Sequence, residues 1–446
     1  MKYLYTLLIA SCVSLLSSCG LYQKYSSPTL NTEEHNFLSE TEFVRPSDVD
    51  TSYVLPSWRE FITDTLLQQL IDTALVRNSD LSIASVRIEQ AKIVQKQSER
   101  ALLPMLNLQA SGTDFNSNGH GSHAHDLTLT ASFNPGAPGY LFAKRHQAEA
   151  QRLKIEDEAM RTQLYVINYV AAYYYNLVML DKHVRFLQSI IDDWERAIEA
   201  QMAIMHNGAV SYTTVAQLET TMFHARRQIV ACESNIAEYE RCICLLLARP
   251  FHHIKRADDF EFKIPEFMTR GVSLADLRNR ADIRAAERDL EVAFYMTTEA
   301  RSALYPAINL TASVAWGDLL SVTSSLLQPL FQQGQLRAQV KISELEQEAA
   351  RLQFEQTLLS AGSRVHKYLT DFQFCKEKDE LLEYQIQVLV KAYTSMLELT
   401  KYGKINHVGL TQFQDKYLEM NTESHTNTFY LIESILNLYT SLCGYN

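Results

Sequence analysis

The sequence predicts an α+β membrane protein in which several copies of the chain share one β-barrel that continues into a barrel of long, coiled α-helices. Three observations predict it. Two stretches lack helix breakers almost entirely: no glycine or proline lies between Gly139 and Gly208, and only Gly362 interrupts the run from Gly334 to Gly403. The chain also repeats itself, since Ala101-Leu102-Leu103-Pro104-Met105-Leu106-Asn107-Leu108-Gln109-Ala110-Ser111 returns as Ala303-Leu304-Tyr305-Pro306-Ala307-Ile308-Asn309-Leu310-Thr311-Ala312-Ser313. Finally, short runs of alternating apolar and polar residues precede each long stretch. Nowhere do about 18 consecutive apolar residues occur, so no transmembrane helix is expected.

At the N-terminus, Met1-Lys2 leads into an apolar stretch from Tyr3 to Leu16, then Ser17-Ser18-Cys19-Gly20. A charged start, a brief apolar core and small residues before a cysteine describe a secretory signal ending in a lipobox. Residues 1–18 are therefore expected to be removed, and Cys19 to become the acylated first residue of an extended segment over 19–55. One acyl chain holds a membrane only marginally, so a second attachment is required.

That attachment comes from strands. Residues 105–115 set Leu106, Leu108 and Ala110 against Asn107, Gln109 and Ser111. Asp126 to Phe133 sets Leu127, Leu129, Ala131 and Phe133 against Thr128, Thr130 and Ser132. Residues 308–316 follow the same rule, and Leu319 to Phe331 supplies a fourth candidate. About 9–11 alternating residues suit a membrane-spanning strand. Lipid tolerates no open sheet edge and the smallest bacterial barrels have 8 strands, so four strands per chain cannot close alone. Three chains together would make about 12.

The long stretches read as coiled helices, each about 100 Å if unbroken. Met160, Leu164, Ile167, Ala171, Tyr174 and Val178 advance by alternate fours and threes. Val184, Leu187, Ile191, Trp194 and Ile198 continue that rhythm after a slip of one residue, a local change of supercoil. Gly208, Val210, Val215 and Gln217 match Gly403, Ile405, Leu410 and Gln412 at a spacing seven residues shorter than that of the strand repeats. Each half thus reads helix, proline, strand pair, long helix, glycine turn, helix: a first repeat over 56–250, a linker over 251–272 and a second repeat over 273–446.

These residues resemble the TolC-like outer-membrane factor family, and within it the lipid-anchored efflux branch. Gly20-Leu21-Tyr22-Gln23-Lys24-Tyr25, with Pro28, is similar to the segment after the acylated cysteine. Trp58, Phe61, Asp64, Leu67, Leu70, Ile71, Ala74, Leu75, Asn78, Asp80, Leu81 and Ala84 resemble the first-helix pattern. Ala281-Asp282-Ile283-Arg284-Ala285-Ala286-Glu287 fits the family's most recognisable phrase, with Ala281 where proline is usual. Gln328-Pro329-Leu330-Phe331, then Gly334, Leu336, Arg337 and Ala338, is similar to its strand-to-helix junction. The resemblance implies a homotrimer whose twelve-stranded barrel crosses the outer membrane and whose helical tunnel crosses the periplasm. It implies a passive exit duct for small molecules, served by a periplasmic adaptor protein and an inner-membrane RND-type pump. No catalysis and no cofactor are expected.

The family's entrance lies near the glycine turns, here Gly208 and Gly403, and often carries acids. The corresponding positions hold Thr214, Gly409 and Gln412, none of them acidic, with Gln217 and Gln412 as further aperture candidates or plain polar helix-tip residues. Met205 and Thr400 replace the tyrosines usual before each turn. His120, His123 and His125 sit in a Gly- and Asn-rich stretch, Asn116 to Asp126, read as an external loop. Its spacing touches on zinc chemistry, but no Asp, Glu or Cys pattern beyond Asp114 and Asp126 completes a shell, so no metal is assigned. His252-His253 carries no signal. Cys232, Cys242, Cys244, Cys375 and Cys443 read as small apolar residues on helices. Acidic pairs such as Asp192-Asp193 read as solvated faces, and no phosphate loop or nucleophile elbow occurs. A net charge of −11 argues against nucleic-acid partners. Two other readings remain: a duct for type I protein or peptide secretion, and a structural periplasmic coiled-coil lipoprotein, which would have no use for the strands.

Overall fold

The computed structural model describes residues 24–28, 56–117, 120–136, 139–206, 211–258, 262, 264–265, 277–315, 320–327, 333–400 and 407–442. In chain order these form α1 (Trp58–Phe61), α2 (Thr65–Arg77), α3 (Ser79–Arg100), β1 (Met105–Ser117), β2 (His120–Gly136), α4 (Tyr140–His206) and α5 (Tyr212–Leu246). The second half follows with α6 (Ala281–Ser302), β3 (Ala307–Ala315), β4 (Ser321–Leu327), α7 (Gln335–Thr400) and α8 (His407–Leu442).

Capping chemistry explains where the first helices start. Ser57 and Glu60 close a capping box on α1, the Ser57 N–H donating to Glu60 Oε2 at 2.8 Å. Asp64 caps α2, accepting from the Leu66 and Leu67 N–H groups at 2.8 and 3.3 Å. Asn78 caps α3 in the same way through Asp80 and Leu81, while its Nδ2 donates to the Leu246 carbonyl at the end of α5 (3.0 Å).

The long helices each follow a glycine in the left-handed region, Gly139 at φ +86° and Gly334 at φ +80°. The carbonyls of these glycines accept from Ala143 N–H (2.9 Å) and Ala338 N–H (3.0 Å), opening the first helical turn. No atom lies within 4 Å of a Cβ built on Gly334, so the backbone angle, not crowding, selects glycine there. α4 runs 67 residues through the slip of register, and α7 runs 66 residues through Gly362. One glycine costs a helix only about 1 kcal/mol, too little to break this one.

The four strands form one antiparallel sheet in the order β1-β2-β3-β4. Asn107 pairs with Thr130, Thr130 with Ser313, and Ser313 with Ser321. The β2–β3 register shifts between Phe133 and Gly136. β1 and β2 run on well past the apolar alternation, pairing to Ser117 opposite His120. Of the stretch Asn116 to Asp126 read as a loop, Asn116, Ser117 and His120 to Asp126 are therefore strand, with His120, His123 and His125 on β2, while Asn118 and Gly119 lie outside the described residues. A ladder continues wherever both backbones stay extended, and apolar side chains are needed only where one face meets lipid or a core. The fourth predicted strand, Leu319 to Phe331, is strand over Ser321–Leu327, and Leu319 and residues 328–331 lie outside the described residues.

Contacts group the chain into two compact units. One comprises Met1–His35, Ala84–Ala159 and Ala281–Leu358; the other comprises Asn36–Ile83, Met160–Arg280 and Leu359–Asn446. In the first, Tyr295 is 2% exposed and stacks on His146 at 5.4 Å. Thr297 Oγ1 donates to the Ser343 carbonyl (3.0 Å), tying α6 to α7. Ion pairs Lys154–Asp289 and Arg284–Asp157, both 2.7 Å, join α4 to α6. In the second, Leu67, Ile71 and Ala74 of α2 pack on Val170, Ala171, Tyr174 and Leu177 of α4. All seven are fully buried. Burying each Leu or Ile stabilises by about 2 kcal/mol. A further cluster joins Leu187, Ile191, Trp194 and Ile198 of α4 to Val215, Leu218 and Met222 of α5 and Leu418 of α8. Of the predicted heptad positions, Ile167, Ala171, Tyr174 and Val178 thus lie in the first cluster and Leu187, Ile191, Trp194 and Ile198 in the second.

Candidate functional site

The register sorts the sheet into two chemically opposite faces. Cross-strand partners share a face, so Leu106 and Leu108 join Leu129, Ala131 and Phe133 of β2, Leu310, Ala312 and Val314 of β3, and Val322 and Leu326 of β4. Asn107 and Gln109, Thr128, Thr130 and Ser132, Asn309, Thr311 and Ser313, and Thr323 and Ser325 take the other face. The apolar face is uncovered: Leu106 and Leu108 are 69% and 68% exposed and Val322 is 70% exposed. A contiguous exposed apolar surface of this kind marks a lipid contact when its reverse is polar and can face water. Where the strands meet the helices, Leu102, Leu103, Phe142, Leu304 and Tyr305 extend the exposed apolar band. No helix among the described residues is long and apolar enough to cross a membrane.

Beyond the apolar residues, the register carries polar pairs outward. His125 lies opposite Gly112, His123 opposite Asp114 and His120 opposite Ser117.

The candidate entrance residues fall on two helix beginnings. Thr214 and Gln217 lie in the first turns of α5, Gly409 and Gln412 in those of α8. Neither first turn holds an acid. Gln217 and Gln412 are exposed, while Val215 and Leu218, to either side of Gln217, are buried in the α4–α5–α8 seam. Gly208, Gly403 and Cys19 lie outside the described residues.

Sequence reasoning missed a buried ionic clamp below the capping residues. Glu240 of α5 is 2% exposed. Its carboxylate accepts from Arg256 Nη1 (2.7 Å) and the Ile254 N–H (3.2 Å) and lies 3.0 Å from His253 Nδ1. Arg256 also forks onto Asp181 of α4 through Nε and Nη2. Alongside, Tyr174 donates to the second oxygen of the α2 cap Asp64 (2.6 Å) and accepts from the Ala257 N–H (3.1 Å). The segment after α5 is thereby stitched onto α4, α5 and the start of α2. A signal was present: Glu240 falls four residues after Ile236 and three before Ile243, on the apolar stripe rather than opposite it.

A second missed pair is His183 of α4 and His425 of α8. Their rings meet edge to face at 5.2 Å, with Phe186 at 5.7 Å from His425. Burial, then the neighbouring His183 and Lys182, pushes His425 down to about 4, and burial lowers His183 as well. Burial also raises the Cys232 and Cys375 thiols, which makes them poor nucleophiles. Among the described residues no cluster of three or more His, Cys, Asp or Glu side chains could hold a metal ion. The geometry offers a membrane surface, a polar reverse face and packed helices.

Known proteins share this arrangement. The cation efflux system protein CusC of Escherichia coli (strain K12) is 24% identical over 98% of this chain and 99% of its own length. The solvent efflux pump outer membrane protein SrpC of Pseudomonas putida is 24% identical over 79% of each. A crystal structure of CusC, one of a set describing folding and transmembrane channel formation, superimposes with a TM-score of 0.83. It does so at 20% identity, covering 95% of this chain and 99% of that one. With one block in each repeat, residues 70–248 and 274–442, the chain belongs to the outer membrane efflux protein family.

Proposed function

We propose that three copies of this outer-membrane protein close into a twelve-stranded barrel and a continuous helical tunnel, forming a passive exit duct. The observation that carries this is the two-faced sheet with two unpaired edges. β1 and β4 have no second neighbour among the described strands. In lipid each unpaired backbone group costs several kcal/mol, so β1 of one copy must pair with β4 of the next. Closure turns Leu108, Leu129 and Leu310 to lipid and Asn107, Thr130 and Asn309 to a water-filled lumen.

The duct serves a tripartite efflux system, fed by an inner-membrane RND-type pump through a periplasmic adaptor. This rests on the family and on relatives named for efflux of cations and of solvents. The relatives' names span cations and solvents, which fits a duct that leaves the choice of substrate to the pump.

Cys19 carries the lipid anchor. Tyr25 packs on Phe294 of α6 at 5.7 Å between ring centres. Six residues span at most about 20 Å, and Phe294 to Ser302 rises about 12 Å towards the strands. An acyl chain on Cys19 therefore reaches the membrane beside the barrel. Residues 1–18 are the cleaved signal and 19–55 the anchored segment. Residues 56–250 and 273–446 are the two duct repeats, and 251–272 is the linker between them. Thr214, Gln217, Gly409 and Gln412, beside the turns at Gly208 and Gly403, ring the periplasmic aperture.

Native mass spectrometry with planar-bilayer conductance tests the reading. Three-chain particles that form steady aqueous pores are expected. Monomers that keep their strands in detergent, or trimers that conduct nothing, would end it.

A further inference from the structure

A cavity of about 250 Å³ opens between α4, α7 and α8, and its lining is unusual for a helix crevice. Four aromatic side chains wall it: Trp194 of α4, Tyr393 of α7, and Phe413 and Tyr417 of α8. Besides the hydroxyls of Tyr393 and Tyr417, the polar side chains of the lining are Asp193 and Gln414. No lysine or arginine contributes. The Gln414 Oε1 is buried and accepts no hydrogen bond. Asp193 pairs with Arg196, but both side chains are more than 60% exposed. Such a pair is screened by water and yields readily to a better-placed cation.

Aromatic faces carry negative potential and attract a cation within about 6 Å of the ring, most strongly when both are desolvated. Here the rings and the Asp193 carboxylate select the same sign of charge. The aliphatic remainder of the wall selects an apolar body. We propose that this crevice binds a small amphiphilic organic cation, of the size and shape of an aryl-alkyl ammonium ion. The cavity admits a ligand of roughly ten non-hydrogen atoms, below the usual range for drug-sized molecules. Binding belongs to the folded chain and requires no flow through a pore, so it stands or falls separately from the duct reading.

The probe is benzyltrimethylammonium, with neopentylbenzene as its neutral shape match. Titration into the detergent-solubilised full chain, read by calorimetry and by Trp194 fluorescence in a Trp58→Phe/Trp316→Phe background, should saturate near 1 mM or tighter. The neutral compound should bind at least about tenfold more weakly. Tyr393→Leu, which keeps an apolar wall but removes a ring face, should weaken the cation about tenfold and leave the neutral compound unchanged. Asp193→Asn, at an exposed position that folding tolerates, should weaken the cation threefold or more. Equal affinity for cation and neutral compound would reduce the site to a plain apolar crevice and overturn the proposal. So would an unsaturable titration, or Asp193→Asn and Tyr393→Leu proteins that are folded by circular dichroism yet bind the cation as the native chain does.

Discussion

His425 should make this protein weaker in acid, and replacing it with phenylalanine should remove much of that weakness. In the unfolded chain the imidazole titrates near 6.5, whereas in the fold it is held down to about 4 by burial, by the ring of His183 and by Lys182. The folded state therefore refuses a proton that the unfolded state accepts. A depressed histidine contributes nothing above about pH 6.5, where both states are neutral. Between 6.5 and 4 the unfolded chain binds more protons, and stability falls as pH falls. At pH 5 the difference amounts to about 2 kcal/mol per chain, approaching about 3 below pH 4. His183, lowered in the same direction, adds to it. His425→Phe keeps an aromatic ring against Phe186 and His183 but cannot take the proton. Thermal unfolding of both proteins in detergent, followed by far-UV circular dichroism from pH 7 to pH 4.5, isolates the effect. Carboxylate titration is common to both and cancels in the comparison. The native protein should lose several degrees more than the variant over that range. Parallel curves would show that the pair is already solvated, and the burial argument for His425 would fail.

Four other outcomes follow from the same structure. Leu129→Arg should impair assembly by about 2–4 kcal/mol per chain, while Thr130→Arg, its neighbour on the other face, should assemble normally and alter ion selectivity; equal assembly yields would mean the two faces are misassigned. Arg256→Ala, which strands the buried Glu240, should cost about 3–5 kcal/mol, and Arg256→Met with Glu240→Met should recover part of it, as measured by urea unfolding. Cys19→Ala should give a mature protein without acyl mass, and native chains beginning downstream of Cys19 with no lipid would refute the anchor. Thr214→Asp should place three acids around the aperture, raising cation selectivity and divalent block in bilayers, and no change in either would put Thr214 away from the pore.

Most of the architecture was readable because it rests on periodicities. The alternation at Leu106 to Ser111 fixed which residues share a face, and the four–three rhythm from Met160 to Ile198 named the seam that α4 buries. Asp64 and Asn78, legible only as parts of a family pattern, turn out to be caps whose spare oxygens and amide reach other helices. What escaped was long-range and polar. Asp181, Glu240 and Arg256 are charges far apart in sequence on a chain rich in surface charge, and only folding shows that they meet. The His120–His125 stretch failed differently: a ladder held by backbone hydrogen bonds leaves no apolar signature once it rises clear of lipid. The entrance candidates Thr214, Gln217, Gly409 and Gln412 are located on helix beginnings, and no single-chain pattern encodes how copies would meet there.

The two repeats are nearly equal in their helices: 22 residues in α3 and in α6, 67 and 66 in α4 and α7, 35 and 36 in α5 and α8. Their hairpins are not, with strands of 13 and 17 residues in the first and 9 and 7 in the second. Among the described residues the duplication is thus kept along the helices and not in the strand lengths. In a ring of three chains the helices would present six almost interchangeable units, while the sheet would repeat only three times. A partner gripping the helices would count six places to hold, whereas one reading the strands would count three.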